Sequence, residues 1–349
     1  MSCGVVRPIL RWRIATVPPV NAELAQPQVV VLGEAVFDFM GVGVDDLNRT
    51  SATEPQFLFQ GVPGGSPLNT AVAARRFGAA AAVCTQLSMD MFGTALFKHL
   101  ETNGVDTTYV TRHQRASSLA FVIESAGDAH FQFIGDGSAD RYYDPQPRPN
   151  LPGSLRFMSL SPLTSFAEPA HQANIDVLRA HRDRATLVLD PTVRPALFPD
   201  RARWHDLFAE LLPIVHIVKG SDQDFEWLYP ERSAAETAAN WLSSGPSAVV
   251  VTRGGEGADL YRPHTSPLHI AAPQVTVIDT VGAGDTFSGA LMAQLAMAGH
   301  GADPVSGYDD SLWADVLRRS AAAAAINCSR RGCDPPSPSE VDAFLRDTA

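Results

Sequence analysis

Residues 275–292 have the sequence VTVIDTVGAGDTFSGALM, and this stretch decides the fold of the chain. The β-branched residues at its start predict a strand over Val275–Ile278. The glycines that follow predict a turn, and Phe287, Leu291 and Leu295 predict a helix because they recur every four positions. A strand that leads through a glycine turn into a helix is typical of a mostly parallel α/β sheet.

The start of this predicted helix is a candidate anion site with a base inside it. The first turn of a helix carries unpaired N–H groups and the positive end of the helix dipole. Gly282 and Gly284 let an anion approach the backbone closely, and we expect Asp285 to be ionised and to accept a proton from a hydroxyl. An anion cradle beside a base is what phosphoryl transfer to an alcohol requires. Taken alone, the same residues also fit a helix cap without a catalytic role.

A second glycine-rich stretch, Gly64-Gly-Ser-Pro-Leu-Asn69, leads into a helix predicted over residues 66–77. Its two glycines let the backbone approach a ligand or act as a hinge. The Asn69 amide offers both a donor and an acceptor to hydroxyl groups. Because Pro67 suits the first turn of a helix, a purely structural helix start explains the stretch equally well.

Together and in this order, the two stretches resemble the two signatures of the PfkB (ribokinase-like) family of sugar kinases. The first signature, G-G-x-x-x-N-x-A followed by Leu/Phe-Gly, matches residues 64–78, and the second, D-T-x-G-A-G-D, matches residues 279–285. The second signature is highly specific, so the pair favours kinase chemistry over two unrelated helix caps. The resemblance runs from about Val29 to Leu345. It implies an ATP-dependent sugar kinase built as a three-layer α/β/α sandwich, with a mostly parallel central sheet and a small β-sheet lid.

The resemblance implies roles for single residues in catalysis and sugar binding. Asp285 becomes the catalytic base for the sugar's primary hydroxyl, and backbone N–H groups around Gly282, Ala283 and Gly284 hold the transferred phosphoryl group. An aspartate of ordinary pKa suffices because a loose transition state demands little early proton abstraction. The sugar-binding residues that the resemblance implies are Asp38, Gly64, Gly65, Asn69 and Arg194.

The segment Val251-Thr-Arg-Gly-Gly-Glu-Gly257 and residues 322–332 resemble the parts of the family that bind ATP. The family often has N-x-x-E where this chain has Ser221-Asp-Gln-Asp224, and that glutamate helps to organise Mg²⁺ and phosphate. Asp224 is one methylene shorter, so it acts on Mg²⁺ through water, or it is a solvated residue at a helix start. An aspartate at the position of Asp279 lies near a monovalent cation in the family, which implies a K⁺ site. The residues implied to lie near ATP are Ser221, Thr252, Gly254, Gly257, Gly284 and Asn327.

Further similarities favour the fructokinase-like branch and D-fructose as the substrate. Residues 190–198 resemble the D-P-N-x-R-x-x-L-W segment of fructokinases and 2-keto-3-deoxygluconate kinases, and Ser117–Val122 resembles T-x-L-A-F-V of the same branch. Ile134-Gly135 stands where that branch often has Tyr-Arg. The missing positive charge makes a carboxylated sugar less attractive. Three alternative substrates stay open, namely 2-keto-3-deoxygluconate, another ketose and a nucleoside. A sugar sensor without catalysis stays open as an alternative function.

Apolar runs alternate with helical patterns along the chain, as in a parallel sheet covered by helices. A helix is predicted over residues 92–102, and short antiparallel strands of the lid are predicted at about residues 37–60 and 117–134. Further strands are predicted over Val29–Leu32, Leu155–Leu160, Thr186–Leu189, Ile214–Val218 and Ala248–Val251. Several strands end in a polar residue at the edge where open parallel sheets bind ligands, namely Asp190, Lys219, Thr252 and Asp279.

The composition argues against several other classes of protein. Of the 349 residues, 45% are hydrophobic and 19% are charged, which predicts a folded globular chain. The net charge of −11 argues against a nucleic-acid-binding protein. The sequence contains neither a Walker-type G-x-x-x-x-G-K-[ST] loop nor G-x-G-x-x-G. No apolar run approaches the roughly 18 residues needed to span a membrane.

The remaining expectations concern the ends of the chain, its location and its assembly. Residues 1–28 lack the apolar core of a secretory signal and are predicted to be a disordered leader before a kinase domain over residues 29–349. The four cysteines show no metal-binding spacing, so a reduced, cytoplasmic setting is expected. Family members often pair through the lid, which leaves a homodimer open.

Overall fold

The computed structural model describes residues 26–41, 58–125, 128–301 and 304–347. The predicted leader therefore lies almost wholly outside the described residues, as does most of the stretch between the first two lid strands. The strands are β1 (Val29–Leu32), β2 (Val36–Gly41), β3 (Phe59–Gly64), β4 (Ala81–Ser88), β5 (Val110–His113), β6 (Ser118–Ser125), β7 (Asp128–Ile134), β8 (Phe157–Leu160), β9 (Thr186–Leu189), β10 (Ile217–Ser221), β11 (Ala248–Thr252), β12 (Ala258–Tyr261) and β13 (Leu268–Ile270). The α-helices are α1 (Ser66–Arg76), α2 (Met91–Thr102), α3 (Ala170–His181), α4 (Arg201–Leu211), α5 (Asp222–Leu228), α6 (Ala234–Leu242), α7 (Ala283–Met297), α8 (Asp310–Cys328) and α9 (Pro338–Asp347).

The larger sheet has nine strands in the order β13-β12-β11-β10-β9-β8-β1-β4-β5. The strands from β11 to β5 run parallel to one another. Only β12 and β13, at one edge, pair antiparallel. The mostly parallel central sheet expected from the sequence is confirmed.

Helices cover both faces of this sheet. Alternate residues of a strand point to opposite faces, and in β1 Val29 and Val31 pack into one apolar core while Val30 and Leu32 pack into the other. The first core contains side chains of α1, α2, α7, α8 and α9. The second contains side chains of α3, α4, α5 and α6. These layers form the predicted α/β/α sandwich.

The lid is a separate four-stranded sheet in the order β3-β2-β6-β7. Its pairs β2–β3 and β6–β7 are antiparallel, but β2 and β6 are parallel, so the expectation of an entirely antiparallel lid is wrong. The chain passes through α1, β4, α2 and β5 between β2 and β6, and such a long crossover permits parallel pairing.

Aromatic side chains attach the lid to the main body. Phe37 and Phe39 of β2 both contact Phe92 of α2, with ring centroids 5.1 and 5.6 Å apart. Phe39 also stacks on Phe121 of β6 at 4.8 Å. Because side chains alternate along a strand, Asp38 points to the opposite face from these rings.

The prediction of a strand over Val275–Ile278 is wrong. This segment pairs with no strand; instead the N–H groups of Ile278 and Asp279 donate to the carbonyl oxygen of Cys328, at the end of α8, at 2.8 and 3.2 Å. Val277 and Ile278 are 59% and 57% exposed. The β-branched run therefore meets the end of a helix instead of a neighbouring strand.

Other predicted elements lie close to their observed positions. The strands Val29–Leu32 and Thr186–Leu189 are confirmed, and α1 and α2 differ from their predicted ranges by one residue. The strand predicted from Ile214 begins at Ile217 because the Ile214 N–H donates to Leu211, in a turn that follows α4. Among the described residues, no helix is both long and apolar enough to cross a membrane.

Close packing of α7 on α1 depends on Gly289. A Cβ atom built at this position would lie 2.6 Å from the Cβ of Ala73 and 2.7 Å from the carbonyl oxygen of Thr70. A side chain at Gly289 would therefore push the two helices apart. This contact matters for the whole molecule because α1 and α7 are the helices that begin at the two glycine-rich stretches.

We expect Gly289→Val to lower the free energy of unfolding by about 1–3 kcal/mol, because it overpacks this contact. Chemical denaturation followed by circular dichroism measures the change. Gly153→Val is the matched control, since a Cβ at Gly153 has no heavy atom within 4 Å. A Gly289→Val variant as stable as Gly153→Val would contradict the close-packing argument.

Candidate active site

The two glycine-rich stretches meet at one carboxylate. Gly65 precedes α1 with φ of 95° and Gly282 precedes α7 with φ of 74°, both in the region that favours glycine. The Ser66 hydroxyl donates to Asp285 Oδ1 at 2.6 Å, and the Asn69 Nδ2 donates to Asp285 Oδ2 at 2.9 Å. The N-termini of α1 and α7 are thus joined through the side chain that the sequence predicts to be the base.

Burial raises the pKa of Asp285 above its ordinary value. The hydrogen bonds from Ser66 and Asn69 oppose this shift, nearby Asp190 adds to it, and the positive charge of Lys219 opposes it. The ordinary pKa expected from the sequence is therefore wrong, because desolvation outweighs the helix N-terminus. A carboxylate with a raised pKa is a stronger base, and strongly perturbed groups of this kind are typical of active sites.

Asp38 of the lid lies in the same electrostatic environment. Its pKa is raised to about 7, mainly by burial and also by the charge of Asp285, while Arg194 lowers it. Gly64 makes room for the Asp38 carboxylate, since a Cβ at that position would overlap with Asp38 Oδ2. The structure therefore brings the predicted sugar-binding residues of the lid close to the predicted base.

Arg194 is carried by a tightly held loop that follows β9. Its Nη1 donates to the carbonyl oxygen of Val193 at 3.0 Å, and the Val193 N–H donates to Asp224 Oδ1 at 2.9 Å. On the other side, the Thr192 hydroxyl donates to Asp190 Oδ1 at 3.2 Å. Thr192 has φ of 45°, a strained conformation for a β-branched residue that the surrounding contacts maintain.

Asp224 caps a helix. Its Oδ2 accepts from the Ser221 N–H at 2.8 Å and from the Ser221 hydroxyl at 2.7 Å, and Ser221 Oγ accepts from the Asp224 N–H in return. Together with the bond from Val193, these contacts occupy both carboxylate oxygens. No group of three His, Cys, Asp or Glu side chains that could hold a metal occurs in the described part of the chain. The contacts bear out a helix-start role, although Asp224 is buried rather than solvated, and its expected action on Mg²⁺ through water stays a prediction.

The turn before α7 keeps only some of its N–H groups free. The Val281 N–H donates to Asp279 Oδ1 at 2.9 Å, and the Ala283 N–H donates to the Thr280 carbonyl at 3.2 Å. An anion at this turn would therefore meet the N–H groups of Gly282, Gly284 and Asp285. Ala283 supports the turn rather than offering the donor that the sequence predicted.

Asn327 and Asp279 hold this turn from behind. Asn327 is 0% exposed; its Nδ2 donates to the Val281 carbonyl at 2.8 Å, and its Oδ1 accepts from the Asp334 N–H at 2.9 Å. Asp279 Oδ2 accepts from the Gly332 N–H at 2.8 Å. Asn327 therefore fixes the backbone of the turn, and its expected place near ATP stays a prediction.

The other predicted nucleotide residues lie at the ends of β10 and β11. Ser221 and Thr252 are direct partners in the pairing of these strands. Gly254, with φ of 51°, opens the next turn, and a Cβ there would meet no heavy atom within 4 Å. Gly257 has a packing role, because a Cβ there would overlap with the carbonyl oxygen of Ile270.

Two further charged residues lie in the site: Lys219, which the sequence placed at the ligand-binding edge of the sheet without a chemical role, and Glu34, which it did not single out. Lys219 Nζ donates to Asp190 Oδ2 at 3.1 Å and to the Gly284 carbonyl at 3.4 Å. Two features of the sequence pointed to Lys219 as a functional residue. It lies at the end of a buried strand, and the chain has only two lysines. The second is Glu34, which lies two residues after the end of the buried strand β1.

Glu34 is a buried carboxyl group with one oxygen free of protein partners. It is 4% exposed, its Oε1 accepts from the Ser161 hydroxyl at 3.1 Å, and its Oε2 has no hydrogen-bond partner among the described residues. Burial raises the pKa of Glu34 to about 7; Asp140 adds to this shift, while hydrogen bonds and Arg194 oppose it. Glu34 also lines a small cavity beside the lid residue Phe133.

The folded protein is expected to lose stability as Glu34 ionises. Its pKa is about 7 when folded against an ordinary 4.5, so the folded state binds more protons between these values and stability falls as the pH rises. We expect Glu34→Gln to reduce the fall in unfolding free energy between pH 5 and 8 by roughly 2–4 kcal/mol. Denaturant titrations across this range, with Glu226→Gln of the exposed face of α5 as control, provide the measurement. Identical pH profiles for both variants would refute the assignment.

Comparisons with known proteins agree with this geometry. Residues 26–340 match the family model described as pfkB family carbohydrate kinase. The chain is 33% identical to a fructokinase of Rhizobium leguminosarum bv. trifolii, over 88% of this chain and 87% of that protein. Its structure is similar to a fructokinase with bound ATP from Xylella fastidiosa (TM-score 0.78, 24% identity, 92% of this chain and 98% of that chain). It is also similar to aminoimidazole riboside kinase from Salmonella enterica complexed with aminoimidazole riboside and an ATP analog (TM-score 0.76, 24% identity, 91% and 99%). The chain has the ribokinase-like fold and belongs to the pfkB family of carbohydrate kinases.

Proposed function

We propose that this protein is an ATP-dependent fructokinase, which transfers the γ-phosphoryl group of ATP to the primary hydroxyl of D-fructose and forms fructose 6-phosphate. The observation that carries the proposal is the placement of Asp285. This partly buried carboxylate lies in the first turn of α7, directly after Gly282 and Gly284, and is hydrogen-bonded to Ser66 and Asn69 of the second glycine-rich stretch. The fructokinase relative and the ATP-bound fructokinase structure support the choice of both substrates.

In this mechanism, the chain orients the sugar and holds the charge of the moving phosphoryl group. Asp38 and Asn69 bind sugar hydroxyls, and Asp285 accepts the proton of the attacking hydroxyl. As the new bond from the sugar oxygen to the γ-phosphorus forms, the bond from that phosphorus to the bridging oxygen breaks and ADP leaves with the electron pair. The N–H groups of Gly282, Gly284 and Asp285 stabilise negative charge on the phosphoryl oxygens, aided by the dipole of α7. Closure of the lid over the sugar excludes water, which would otherwise compete as the acceptor.

Charges around Arg194 favour a neutral sugar. The positive charge of Arg194 lowers the pKa of both Glu34 and Asp38, so it already lies within reach of two carboxyl groups of the protein. A carboxylated sugar would add a third acidic group to this environment. Ile134, which is exposed at the end of β7, adds no compensating charge. Fructose fits this balance better than 2-keto-3-deoxygluconate.

The proposal includes Mg²⁺ that arrives with ATP, where its ligands are phosphate oxygens and water more than protein side chains. When bound, it neutralises phosphate charge during transfer.

We also propose a K⁺ ion near Asp279. A cytoplasmic location is proposed as well, in keeping with the free cysteines Cys84, Cys328 and Cys333.

We expect fructose to be the preferred substrate in an ADP-release assay with ATP and Mg²⁺. The panel contains fructose, 2-keto-3-deoxygluconate, ribose, tagatose and adenosine. A kcat/KM for fructose at least about tenfold above the others corresponds to about 1.4 kcal/mol of transition-state binding. Preference for another member would keep the kinase and overturn the fructose assignment. Binding of fructose without turnover on any member would indicate a sugar sensor.

Asp285→Asn is expected to lower kcat by about 10²–10⁴-fold, because the variant has no base for the sugar hydroxyl. The KM for fructose is expected to change little, since the introduced amide fills the same volume as the carboxylate. Steady-state kinetics and a fructose-binding titration measure the two effects. Asp206→Asn, on the exposed face of α4, is the matched control and is expected to keep full activity. Undiminished turnover by Asp285→Asn would exclude the proposed mechanism.

A further inference from the structure

Lys219 is a buried cation directly beneath the glycine turn. Its side chain is 5% exposed, and its Nζ lies 3.1 Å from Asp190 Oδ2 and 3.4 Å from the carbonyl oxygen of Gly284. A Cβ atom at Gly284 would lie 3.1 Å from the same Nζ. The lysine therefore contacts the turn at a residue whose missing side chain permits the approach.

Asp190 holds the lysine in this position and connects it to two other parts of the site. Its Oδ2 also accepts from the Ser288 hydroxyl, one helical turn after Gly284 in α7, at 2.9 Å. Its Oδ1 accepts from the Thr192 hydroxyl, in the loop that carries Arg194. The pair thus ties the end of β10 to both the first turns of α7 and the loop after β9.

Stability alone does not account for this ion pair. Two charges removed from water incur a desolvation penalty that their attraction barely offsets, and apolar residues of similar volume are often as stable or more so. The position of the pair gives it another use. An ammonium group beneath the first turn of α7 adds to the positive potential that the helix dipole supplies at the same place.

We infer that Lys219 is a positioning residue for phosphoryl transfer, acting through Gly284 and supplying positive charge beneath the anion-binding turn. The inference rests on the kinase function proposed above. Lys219 acts through the turn and the field at Asp285, while Asp285 and the backbone N–H groups remain the groups that meet the substrates.

The pH dependence of the reaction separates this role from a merely structural one. The charged and titratable groups that face Asp285 are Asp38 of β2, Asp190 after β9, Lys219 of β10 and Cys333 after α8. Of these, Lys219 lowers the pKa of Asp285, whereas Asp190 raises it. Removal of the lysine charge should therefore move the acidic limb of the kcat/KM profile to higher pH. A variant that has less folded protein but an unchanged site would keep the acidic limb of its kcat/KM profile at the same pH as the parent.

Lys219→Met is the test variant, and Lys98→Met is the matched control. Lys98 is the only other lysine of the chain and pairs with Glu101 on the surface of α2, with its side chain 73% exposed. With fructose and ATP, we expect Lys219→Met to lower kcat at least about tenfold, in line with the loss of one stabilising group at a developing charge. We expect a smaller change in the KM for fructose, a shift of the acidic limb to higher pH, and partial recovery in Lys219→Arg.

A double variant separates the effect of the lost lysine charge from the effect of misfolding. Lys219→Met leaves Asp190 buried without its partner, whereas Lys219→Met with Asp190→Asn removes both charges and keeps an acceptor for Ser288. Circular dichroism and thermal unfolding establish that each variant is folded. If the parent phosphorylates fructose but the folded double variant keeps the parent kcat, the inference is wrong. The acidic limb is compared only in the single variant, because the losses of Lys219 and Asp190 shift the pKa of Asp285 in opposite directions. If the parent phosphorylates no sugar of the panel, the proposed function fails first, and the failure is not that of Lys219.

Discussion

The carboxylate of Asp285 and its two hydrogen bonds hold the active site together. Removing a carboxylate from water is destabilising unless polar groups compensate it, and Ser66 and Asn69 of α1 do so for the partly buried Asp285 of α7. These bonds form only if the N-termini of the two helices converge, which in turn requires the close packing at Gly289. The catalytic geometry is therefore a consequence of how two helices pack on one face of the sheet.

The site concentrates acidic groups and balances them with few cations. Glu34, Asp38 and Asp285 all have a raised pKa, with burial as the first cause. Arg194 offsets the first two, and Lys219 offsets the third. Such an arrangement disfavours folding, and active sites commonly lower stability in this way. The benefit is chemical, because a desolvated carboxylate is a stronger base and a desolvated acceptor binds sugar hydroxyls more selectively.

Sequence analysis located the parts of the site that local pattern determines. Gly65, Gly282 and Asp285 belong to short motifs in which the backbone conformation and the chemistry depend on neighbouring residues, and the structure brings these motifs together. The failures share a different cause. The segment Val275–Ile278, predicted to be a strand, and β2, predicted to pair only antiparallel, both obtain their partners from parts of the chain distant in sequence, namely the Cys328 carbonyl and β6. A pattern of residue types carries no information about which distant carbonyl will be available.

Asp224 and Lys219, on either side of the end of β10, contact different parts of the candidate site. Asp224 is short enough to turn back onto Ser221 and the Val193 N–H, where it caps α5 and holds the Arg194 loop. A side chain committed to three backbone and hydroxyl donors has little capacity left for the phosphate side of the site. Lys219, at the end of the same strand, reaches the turn from below and supplies charge of the opposite sign. Two residues at the junction of β10 and α5 thus contact different parts of the candidate site, Asp224 the loop that carries Arg194 and Lys219 the first turn of α7.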